Sequence, residues 1–436
     1  MAGIRHYTAR VLGESLAVGQ RSMGDPGIRY PLWPPLTAGC PRTSTDALAY
    51  PVEVDYDYAA VPPGFLDRPR VAGLERWAPL MPPLSAKGLA EGSTPLVELT
   101  DGVWIKDESR NPTWSHKDRL NRCAVSAAVG VGAPGVVVAS SGNHGASAAA
   151  YAARAGLGCV VLLSAGAPPA VESFVRAYGA AVLVVPREAR WPLLRRIVDE
   201  LGYHPVSNLT DTYTGHPFGP EGYKTIAYEL AADLGVPAAV FVPTGHAELL
   251  FGVWKGFDEL RRIGATADVP RLFSCEPATG GPLARAMALG DPAATVPTPS
   301  TAAYAIGCSV GGVRGMTALS GRGAGGGSGA GGDDRNSDAR NKGNSNGAAL
   351  LVSEDELAAA QRELAGAGLW QEVSGAAGLA GYRQVADRRL GDGPVVCLAT
   401  SSGFKDLGVG AVGREIVDPS WPEVHRRLRE ADLPGA

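Results

Sequence analysis

The sequence predicts an α/β protein with two open, mostly parallel sheets and a cleft between them. The chain has 436 residues, of which 45% are hydrophobic and 19% charged, so it can bury a large core and divide into two or more domains. From Glu91 onward, strand patterns alternate with helix patterns in two separate series. This alternation is typical of parallel sheets that carry helices on their faces.

The first series contains three short apolar strands separated by two helices. In chain order, these elements are predicted at residues 136–140, 146–155, 159–163, 169–178 and 181–185. The first helix is rich in alanine and is followed by Gly156, and the second is followed by Gly179. Glycine just beyond a helix is a common termination signal, so the series reads as a continuous βαβαβ unit.

The second series predicts the other sheet. Strands are expected at 238–243, 271–275 and 394–400, and a helix that ends near Arg262 separates the first two. Each strand is a short apolar run, as expected for a sheet covered on both faces.

Two regions do not follow this alternation. Residues 1–90 are rich in proline and aromatic side chains, and only 52–58 alternates as a strand does, so we expect an irregular N-terminal lobe. Residues 320–347 are mostly Gly, Ser, Asn and Asp and predict a disordered insert, with a mobile lid as the functional alternative. Regular structure resumes at Ser353, which forms a capping box with Glu356.

The charge pattern argues against nucleic-acid and membrane partners. The net charge of −4 and pI near 6.0 provide no basic surface for nucleic acid. Residues 123–153 carry no charge, but their Ala, Gly, Ser and Val content predicts helix, buried strand, loop and helix rather than a membrane span. The first residues lack the apolar segment of a signal peptide, and we expect a cytoplasmic protein.

The cysteine pattern predicts reduced thiols and no metal site. The six cysteines form no C-x-x-C pair, and no histidines cluster near them. They are Cys40, Cys123, Cys159, Cys275, Cys308 and Cys397.

Residues 111–119, Asn-Pro-Thr-Trp-Ser-His-Lys-Asp-Arg, place Lys117 in a turn rich in hydrogen-bonding groups. A lysine that forms a Schiff base must lose its proton at intervals, and partial burial and positive neighbours promote this loss. The alternative for an isolated motif is an exposed turn. The motif alone therefore does not decide between a catalytic and a structural lysine.

Residues 140–145, Ser-Ser-Gly-Asn-His-Gly, join the end of a predicted strand to the start of a helix. Backbone N–H groups at a helix N-terminus bind anions, and ligands of open α/β sheets lie at the carboxyl ends of the strands. This loop is therefore a candidate site for an amino-acid carboxylate.

Four motifs in this order resemble the fold type II pyridoxal-phosphate enzymes, with threonine synthase as the nearest type. They are residues 91–96 (Glu-Gly-Ser-Thr-Pro-Leu), the lysine motif, the Ser-Ser-Gly-Asn loop, and residues 400–406 (Thr-Ser-Ser-Gly-Phe-Lys-Asp). The resemblance runs from about Ala49 to Asp406 and is interrupted by the insert.

For the architecture, the resemblance implies a tryptophan synthase β-like fold with the cofactor in the cleft. It implies a large cofactor domain from 91–122 and 221–436, and a small mobile α/β domain at 123–220. It also implies pyridoxal 5'-phosphate as cofactor, a small amino acid as substrate, and a homodimer.

For the site, the resemblance implies a role for each matching residue. Lys117 would bind the cofactor aldehyde and move protons. Asn143 would bind the ring hydroxyl, and Thr400 would face the pyridine nitrogen. The carboxylate loop would comprise Ser140, Ser141, Gly142 and His144. A hydroxyl group at Thr400 does not enforce a protonated pyridine, and this favours elimination or replacement at the β or γ carbon over transamination.

The expected phosphate cup, residues 244–249, matches the family only in part. Gly245 and Ala247 fit, but Glu248 and Leu249 replace small and amide residues. A carboxylate about 4 Å from a phosphate costs roughly 4 kcal/mol per charge pair at an effective dielectric near 20. Glu248 should therefore point away, carry a proton or meet a cation. His246 would supply that cation or lie on the surface.

Two departures flank the lysine and predict an altered substrate pocket. Trp114 stands where the family has Gly, and His116 where it has Phe. His116 is either a second acid or base or a ring packed in place of Phe. Tyr223 and Lys224, before a predicted helix, either contact substrate or only cap and solvate that helix.

These observations predict a pyridoxal-phosphate-dependent lyase or synthase that is threonine synthase-like, with O-phosphohomoserine or a related phosphorylated or hydroxy amino acid as substrate. Alternatives are a serine or threonine dehydratase and a cysteate synthase-like β-replacement enzyme. A ligand-binding pseudoenzyme is the alternative outside enzymes.

Overall fold

The computed structural model of the chain describes residues 14–140, 142–164, 169–321, 347–405 and 418–430. Ser141 and nearly all of the predicted insert lie outside these residues. No helix in the described ranges is long and apolar enough to cross a bilayer.

Three sheets contain most of the strands. In chain order, the strands are β1 (Ala17–Ser22), β2 (Arg29–Tyr30), β3 (Val52–Tyr56), β4 (Leu96–Thr100), β5 (Val103–Asp107), β6 (Gly135–Ala139), β7 (Gly158–Ser164), β8 (Ala181–Val185), β9 (His204–Pro205), β10 (Ala239–Pro243), β11 (Arg271–Pro277), β12 (Ala294–Thr295), β13 (Val310–Gly311), β14 (Ala348–Val352) and β15 (Val395–Ala399).

Helices cover the faces of the two larger sheets. The helices of the described residues are α1 (Lys117–Gly130), α2 (Asn143–Ala155), α3 (Pro169–Ala177), α4 (Arg190–Leu201), α5 (Gly219–Tyr223), α6 (Thr225–Asp233), α7 (Glu248–Arg262), α8 (Pro282–Leu289), α9 (Val313–Ser320), α10 (Glu354–Gly366), α11 (Ala377–Arg383) and α12 (Trp421–Glu430).

In the described part of the chain, the larger sheet has the strand order β14-β11-β10-β15-β5-β4 and the smaller one β8-β7-β6-β9. Neighbouring strands are parallel in both sheets, apart from the antiparallel pair β4 and β5. The predicted α/β class with mostly parallel sheets is therefore confirmed. The N-terminal lobe carries a small antiparallel sheet, β2-β1-β3, of which the sequence predicted only β3.

Central strands of the larger sheet are buried on both faces. Along β10, Val240 and Val242 pack into one hydrophobic core, and Ala239 and Phe241 pack into another. Side chains of a strand point alternately to the two faces, so one strand contributes to both cores. The continuous apolar run that predicted this strand reflects its double coverage.

The lysine motif differs from its prediction in secondary structure. Lys117 is the first residue of α1 rather than part of an isolated turn. The capping box at Ser353 is present as predicted, because its hydroxyl accepts from the Glu356 amide while the Glu356 carboxylate accepts from the Ser353 amide.

A buried ionic cluster fixes the start of α1. The Arg119 guanidinium donates from Nε to Glu108 at 2.7 Å and from Nη1 to Glu229 at 2.7 Å. Lys106 Nζ donates to the same Glu229 carboxylate at 2.6 Å. Burial opposes ionisation of Glu229, but the charges of Arg119 and Lys106 lower its pKa overall. The cluster joins α1 to β5 and α6.

Replacing Arg119 by Met should destabilise the protein by about 3–5 kcal/mol, because two buried carboxylates would lose their partner. The urea unfolding midpoint measures this loss. Arg176→Met is the matched control, because Arg176 pairs with Glu172 at the surface and surface pairs contribute about 0–1 kcal/mol. Equal midpoints for the two variants would contradict the structural role of the cluster.

Candidate active site

A cavity of ≈790 Å³ lies where the carboxyl ends of strands from both sheets meet. Ser140 follows β6 of the smaller sheet, whereas Thr244 and Thr400 follow β10 and β15 of the larger one, and all three border the cavity. Loops at this edge of parallel sheets are the usual place for a ligand. Among the residues predicted for the site, the lining includes His116, Lys117, Ser140, Gly142, Asn143, His144, Gly245, His246, Ala247 and Thr400.

Lys117 presents its amine to this cavity from the first turn of α1. Its Nζ donates a hydrogen bond to the Tyr223 hydroxyl at 3.0 Å. Burial lowers the pKa of Lys117, although the charges of Glu248 and Glu372 oppose the shift. A lowered pKa increases the fraction of free amine near neutral pH, and this is the form that attacks a carbonyl group.

The lysine motif and the Thr400 motif contact each other through backbone hydrogen bonds. The His116 amide donates to the Thr400 carbonyl at 3.0 Å, and the Ser402 amide donates to the Trp114 carbonyl at 3.0 Å. These bonds fix the lysine relative to the end of β15. Two motifs that are distant in sequence therefore form one wall of the cavity.

Asn143 begins α2 and is oriented by two charged side chains. Its Nδ2 donates to both carboxylate oxygens of Glu372, at 2.9 and 3.1 Å. Its Oδ1 accepts from Lys405 Nζ at 2.6 Å, and burial lowers the pKa of Lys405 to about 8. The sequence analysis predicted neither Glu372 nor Lys405 as a partner of Asn143. Lys405 was within the quoted 400–406 motif, whereas nothing in the sequence singled out Glu372.

The loop after β6 carries an unsatisfied polar atom. His144 Nε2 is buried without a hydrogen-bond partner among the described residues. Burial and the charge of Lys117 lower the His144 pKa to about 3, although a hydrogen bond to the Val206 backbone acts in the opposite direction. The ring is therefore neutral, and the free nitrogen is available to a ligand. Ser140 Oγ accepts from the Gly142 amide at 3.3 Å.

The predicted phosphate cup forms the loop between β10 and α7. Ala247 has a φ of 63° and precedes the first turn of α7, whose first N–H groups have no partner within the helix. Gly245 lies so close to Cys308 that a Cβ atom would come within 2.8 Å of its sulfur. The loop therefore has the small residue and the helix terminus that an anion site needs.

The cation that meets Glu248 is Arg314, not His246. Arg314 Nη1 lies 3.0 Å from Glu248 Oε1, and the Tyr213 hydroxyl donates to Oε2 at 2.7 Å. His246 instead stacks on Tyr213 at 3.8 Å between ring centroids and contacts the Val310 carbonyl at 2.9 Å. Burial lowers the His246 pKa to about 4, so His246 is neutral and supplies no counter-charge. Of the three expected outcomes for Glu248, the structure shows pairing with a cation.

The two residues expected to alter the substrate pocket occupy different places. Trp114 is 42% exposed, packs on Phe174 with ring centroids 5.3 Å apart, and is not among the cavity-lining residues. Its substrate-binding role remains a prediction. His116 borders the cavity, and its Nδ1 lies 3.1 Å from the Thr400 carbonyl. Burial and the Lys117 charge lower the His116 pKa well below its usual value, so the ring is neutral.

Lys224 is not a solvent-exposed residue at the start of a helix, which was one of the two roles that the sequence allowed. It is fully buried, and its Nζ lies 2.6 Å from Glu221 and 3.0 Å from Glu259. Tyr223, its neighbour, contacts Lys117.

These residues fit an aldehyde cofactor that carries a phosphate group. The cavity is large enough for such a cofactor and an amino acid, Lys117 has a lowered pKa, and the first N–H groups of α7 have no partner within the helix and could accommodate an anion. The free His144 nitrogen leaves one polar group for a ligand to satisfy.

Comparison with known proteins agrees with this arrangement. The model of the family of pyridoxal-phosphate-dependent enzymes matches residues 88–401. Threonine synthase of Methanosarcina acetivorans is 30% identical over 338 residues, which cover 73% of this chain and 76% of that protein. Threonine synthase of Mycobacterium tuberculosis H37Rv is 32% identical over 333 residues, which cover 73% of this chain and 83% of that protein.

Solved structures with a similar fold include maize serine racemase, with a TM-score of 0.58 and 19% identity over 78% of this chain and 93% of that one. The processed form of threonine deaminase isoform 2 from Solanum lycopersicum has a TM-score of 0.57 and 19% identity over 78% of this chain and 83% of that one. At these identities, the likeness concerns the fold alone.

The family match and the threonine synthase relatives confirm three predictions: pyridoxal 5'-phosphate as cofactor, the fold type II architecture, and lyase chemistry at the β or γ carbon of an amino acid. A match over most of the chain, together with relatives at 30% and 32% identity, establishes the family. The chain belongs to the pyridoxal-phosphate-dependent enzymes.

Proposed function

We propose that the enzyme acts on an amino acid whose β or γ carbon carries an anionic leaving group, with O-phosphohomoserine as the leading substrate. The threonine synthase relatives support this choice of substrate. The observation that carries the proposal within the chain is a pair of arginines, Arg187 and Arg190, that border the cavity.

The two arginines border the cavity together with Glu188, so this part of the lining carries a net positive charge. They lie in the turn Arg187–Ala189 and at the start of α4, and Arg187 Nη2 donates to the Gly307 carbonyl at 3.4 Å. Burial and the charge of Arg187 lower the Arg190 pKa. Two like charges beside one cavity favour an anion between them, because guanidinium groups bind phosphate in a bidentate manner.

The remaining site residues have separate roles in this proposal. Bound pyridoxal phosphate supplies the electron sink for the negative charge that develops at the substrate α carbon. Lys117 Nζ would hold the cofactor aldehyde and, once the substrate amine has replaced it there, would be the free amine that takes the α proton. Ser140, Ser141, Gly142 and His144 hold the carboxylate. Asn143 and Thr400 orient the ring, and the loop of Gly245, His246 and Ala247 holds its phosphate.

Other parts of the prediction remain proposals with their own support. The division into 1–90, 91–122 with 221–436, and 123–220 is supported by the four-stranded sheet, which lies within 123–220. The homodimer is supported by the family resemblance. The cytoplasmic location is supported by six cysteines in their free form.

Incubation with O-phosphohomoserine should release inorganic phosphate, and Lys117→Ala should reduce the rate by about 100-fold to 10,000-fold or more, because the base that moves the α proton is lost. Phosphate assay and visible absorption of the bound cofactor are the measurements. The proposal is wrong if O-phosphoserine, serine or threonine reacts while O-phosphohomoserine does not. A parent protein without the visible band would indicate the pseudoenzyme.

Arg187→Ala and Arg190→Ala should each raise KM for the phosphorylated substrate by about 10-fold to 100-fold, because a hydrogen bond to a charged group contributes about 1.5–3 kcal/mol. Steady-state kinetics measure this change. Arg196→Ala is the control, since Arg196 lies on α4 as Arg190 does, pairs with Glu200 and is largely exposed. Similar KM values in all three variants would remove the arginine pair from the substrate site.

A further inference from the structure

We infer that Tyr223 is a positioning residue for the reaction, whose hydroxyl group holds the amine of Lys117 in both of its protonation states. The inference rests on the proposed role of Lys117 but not on the identity of the substrate. The sequence alone did not decide whether Tyr223 contacts the substrate or only caps a helix, and the inference assigns it a third role.

The contact between the two residues is direct. Lys117 Nζ lies 3.0 Å from the Tyr223 hydroxyl oxygen and 5.5 Å from the centre of its ring. Among the described residues, Tyr223 is the hydrogen-bond partner of this amine. The tyrosine ring is itself fully buried and faces the His116 ring at 5.4 Å, so its position is fixed by packing.

Two glycines allow this position. A Cβ atom on Gly222 would lie 1.9 Å from the Arg119 carbonyl oxygen, so only glycine permits α5 to approach α1 this closely. A Cβ atom on Gly252 would lie 2.5 Å from the Tyr223 Cβ, which brings α7 against the other side of the tyrosine. The close approach of three helices therefore places the hydroxyl at the amine.

The hydroxyl suits both forms of the amine. Burial, and then the charges of Glu248, Glu108 and Asp118, raise the pKa of Tyr223 well above its usual value, so the hydroxyl keeps its proton. It accepts a hydrogen bond from the ammonium form of Lys117 and donates one to the free amine. The amine therefore need not move when it gains or loses a proton.

Other ionisable groups lie near Lys117, but among the described residues none of them is hydrogen-bonded to its Nζ. They are His116, His144, His246, Glu248, Cys308 and Glu372. Burial keeps the three histidines neutral and raises the pKa of Cys308 to about 12. Glu248 is held by Arg314, and Glu372 by Asn143.

Tyr223→Phe keeps the ring and removes the hydroxyl. A bond to the charged ammonium is stronger than one to the neutral amine, so its loss should lower the pKa of Lys117 by about one unit. The measurement uses the full chain after removal of the cofactor, with the labelling rate of Lys117 by an amine reagent followed across pH by peptide mass spectrometry. In the loaded enzyme, kcat should fall by about 10-fold or more, with KM within about 2-fold.

Tyr151→Phe is the matched control. Tyr151 is also fully buried, but its hydroxyl donates to Glu91 at 2.7 Å, so the Lys117 labelling midpoint should not move. If the midpoint in Tyr223→Phe equals that of the parent, the inference is overturned.

A second measurement does not require Tyr223→Phe to fold. In protein labelled with [ζ-13C]tyrosine, the Tyr223 resonance should shift in Lys117→Met, and an unchanged resonance would also overturn the inference. These outcomes can be distinguished from failure of the proposed role of Lys117. If Lys117 does not hold the cofactor, the visible cofactor band persists in Lys117→Ala.

Discussion

The buried pairing of Arg119 with Glu108 and Glu229 is the interaction on which the active site depends. An isolated charge in a protein interior is very costly, and it is tolerated only with close partners. Arg119 is fully enclosed, and its guanidinium contacts both carboxylates. Because the charges must meet, the first turn of α1 has one permitted position relative to β5 and α6.

The three consecutive residues Lys117, Asp118 and Arg119 at this turn face different parts of the fold. Arg119 joins α1 to the elements of the larger sheet. Asp118 accepts hydrogen bonds from the Thr113 backbone at 2.6 Å and from Ser147 of α2 at 2.6 Å, which ties the same turn to the smaller sheet. Lys117 is left to face the cavity between them. The Lys117 amine is therefore positioned by both halves of the fold.

Burial determines the charge distribution of the cavity more than residue type does. His116, His144 and His246 all border it, and burial keeps each of them neutral. Among the described residues that border the cavity, the cationic side chains are Lys117, Arg187 and Arg190, and Lys405 lies beside Asn143.

The Asn143 amide illustrates how charged neighbours fix orientation. Its two ends look alike in shape but differ in hydrogen bonding. Lys405 can only donate and a carboxylate such as Glu372 can only accept, so the amide has one orientation that satisfies both. A polar group that is held in this way presents a defined face to a ligand.

The sequence by itself determined the two series of alternating strands and helices, and its four motifs carried the family resemblance that implied the cofactor and the class of chemistry. These depend on local patterns, namely apolar runs, terminating glycines and short motifs such as the loop at 140–145. It predicted the strands near 136, 159, 181 and 239 to within a residue or two. The sequence also predicted that Glu248 must point away from the phosphate, carry a proton or meet a cation. A carboxylate beside a phosphate is unfavourable whatever the surrounding fold.

Only the tertiary structure decided which side chains meet. The partner of Glu248 is Arg314, 66 residues away, and the partners of Lys117 and Asn143 are 106 and 229 residues away. It also placed Trp114 against Phe174 instead of in the cavity. Local patterns carry no information on such distant pairs, because they arise from the packing of helices on sheets and from the requirement that buried charges find partners.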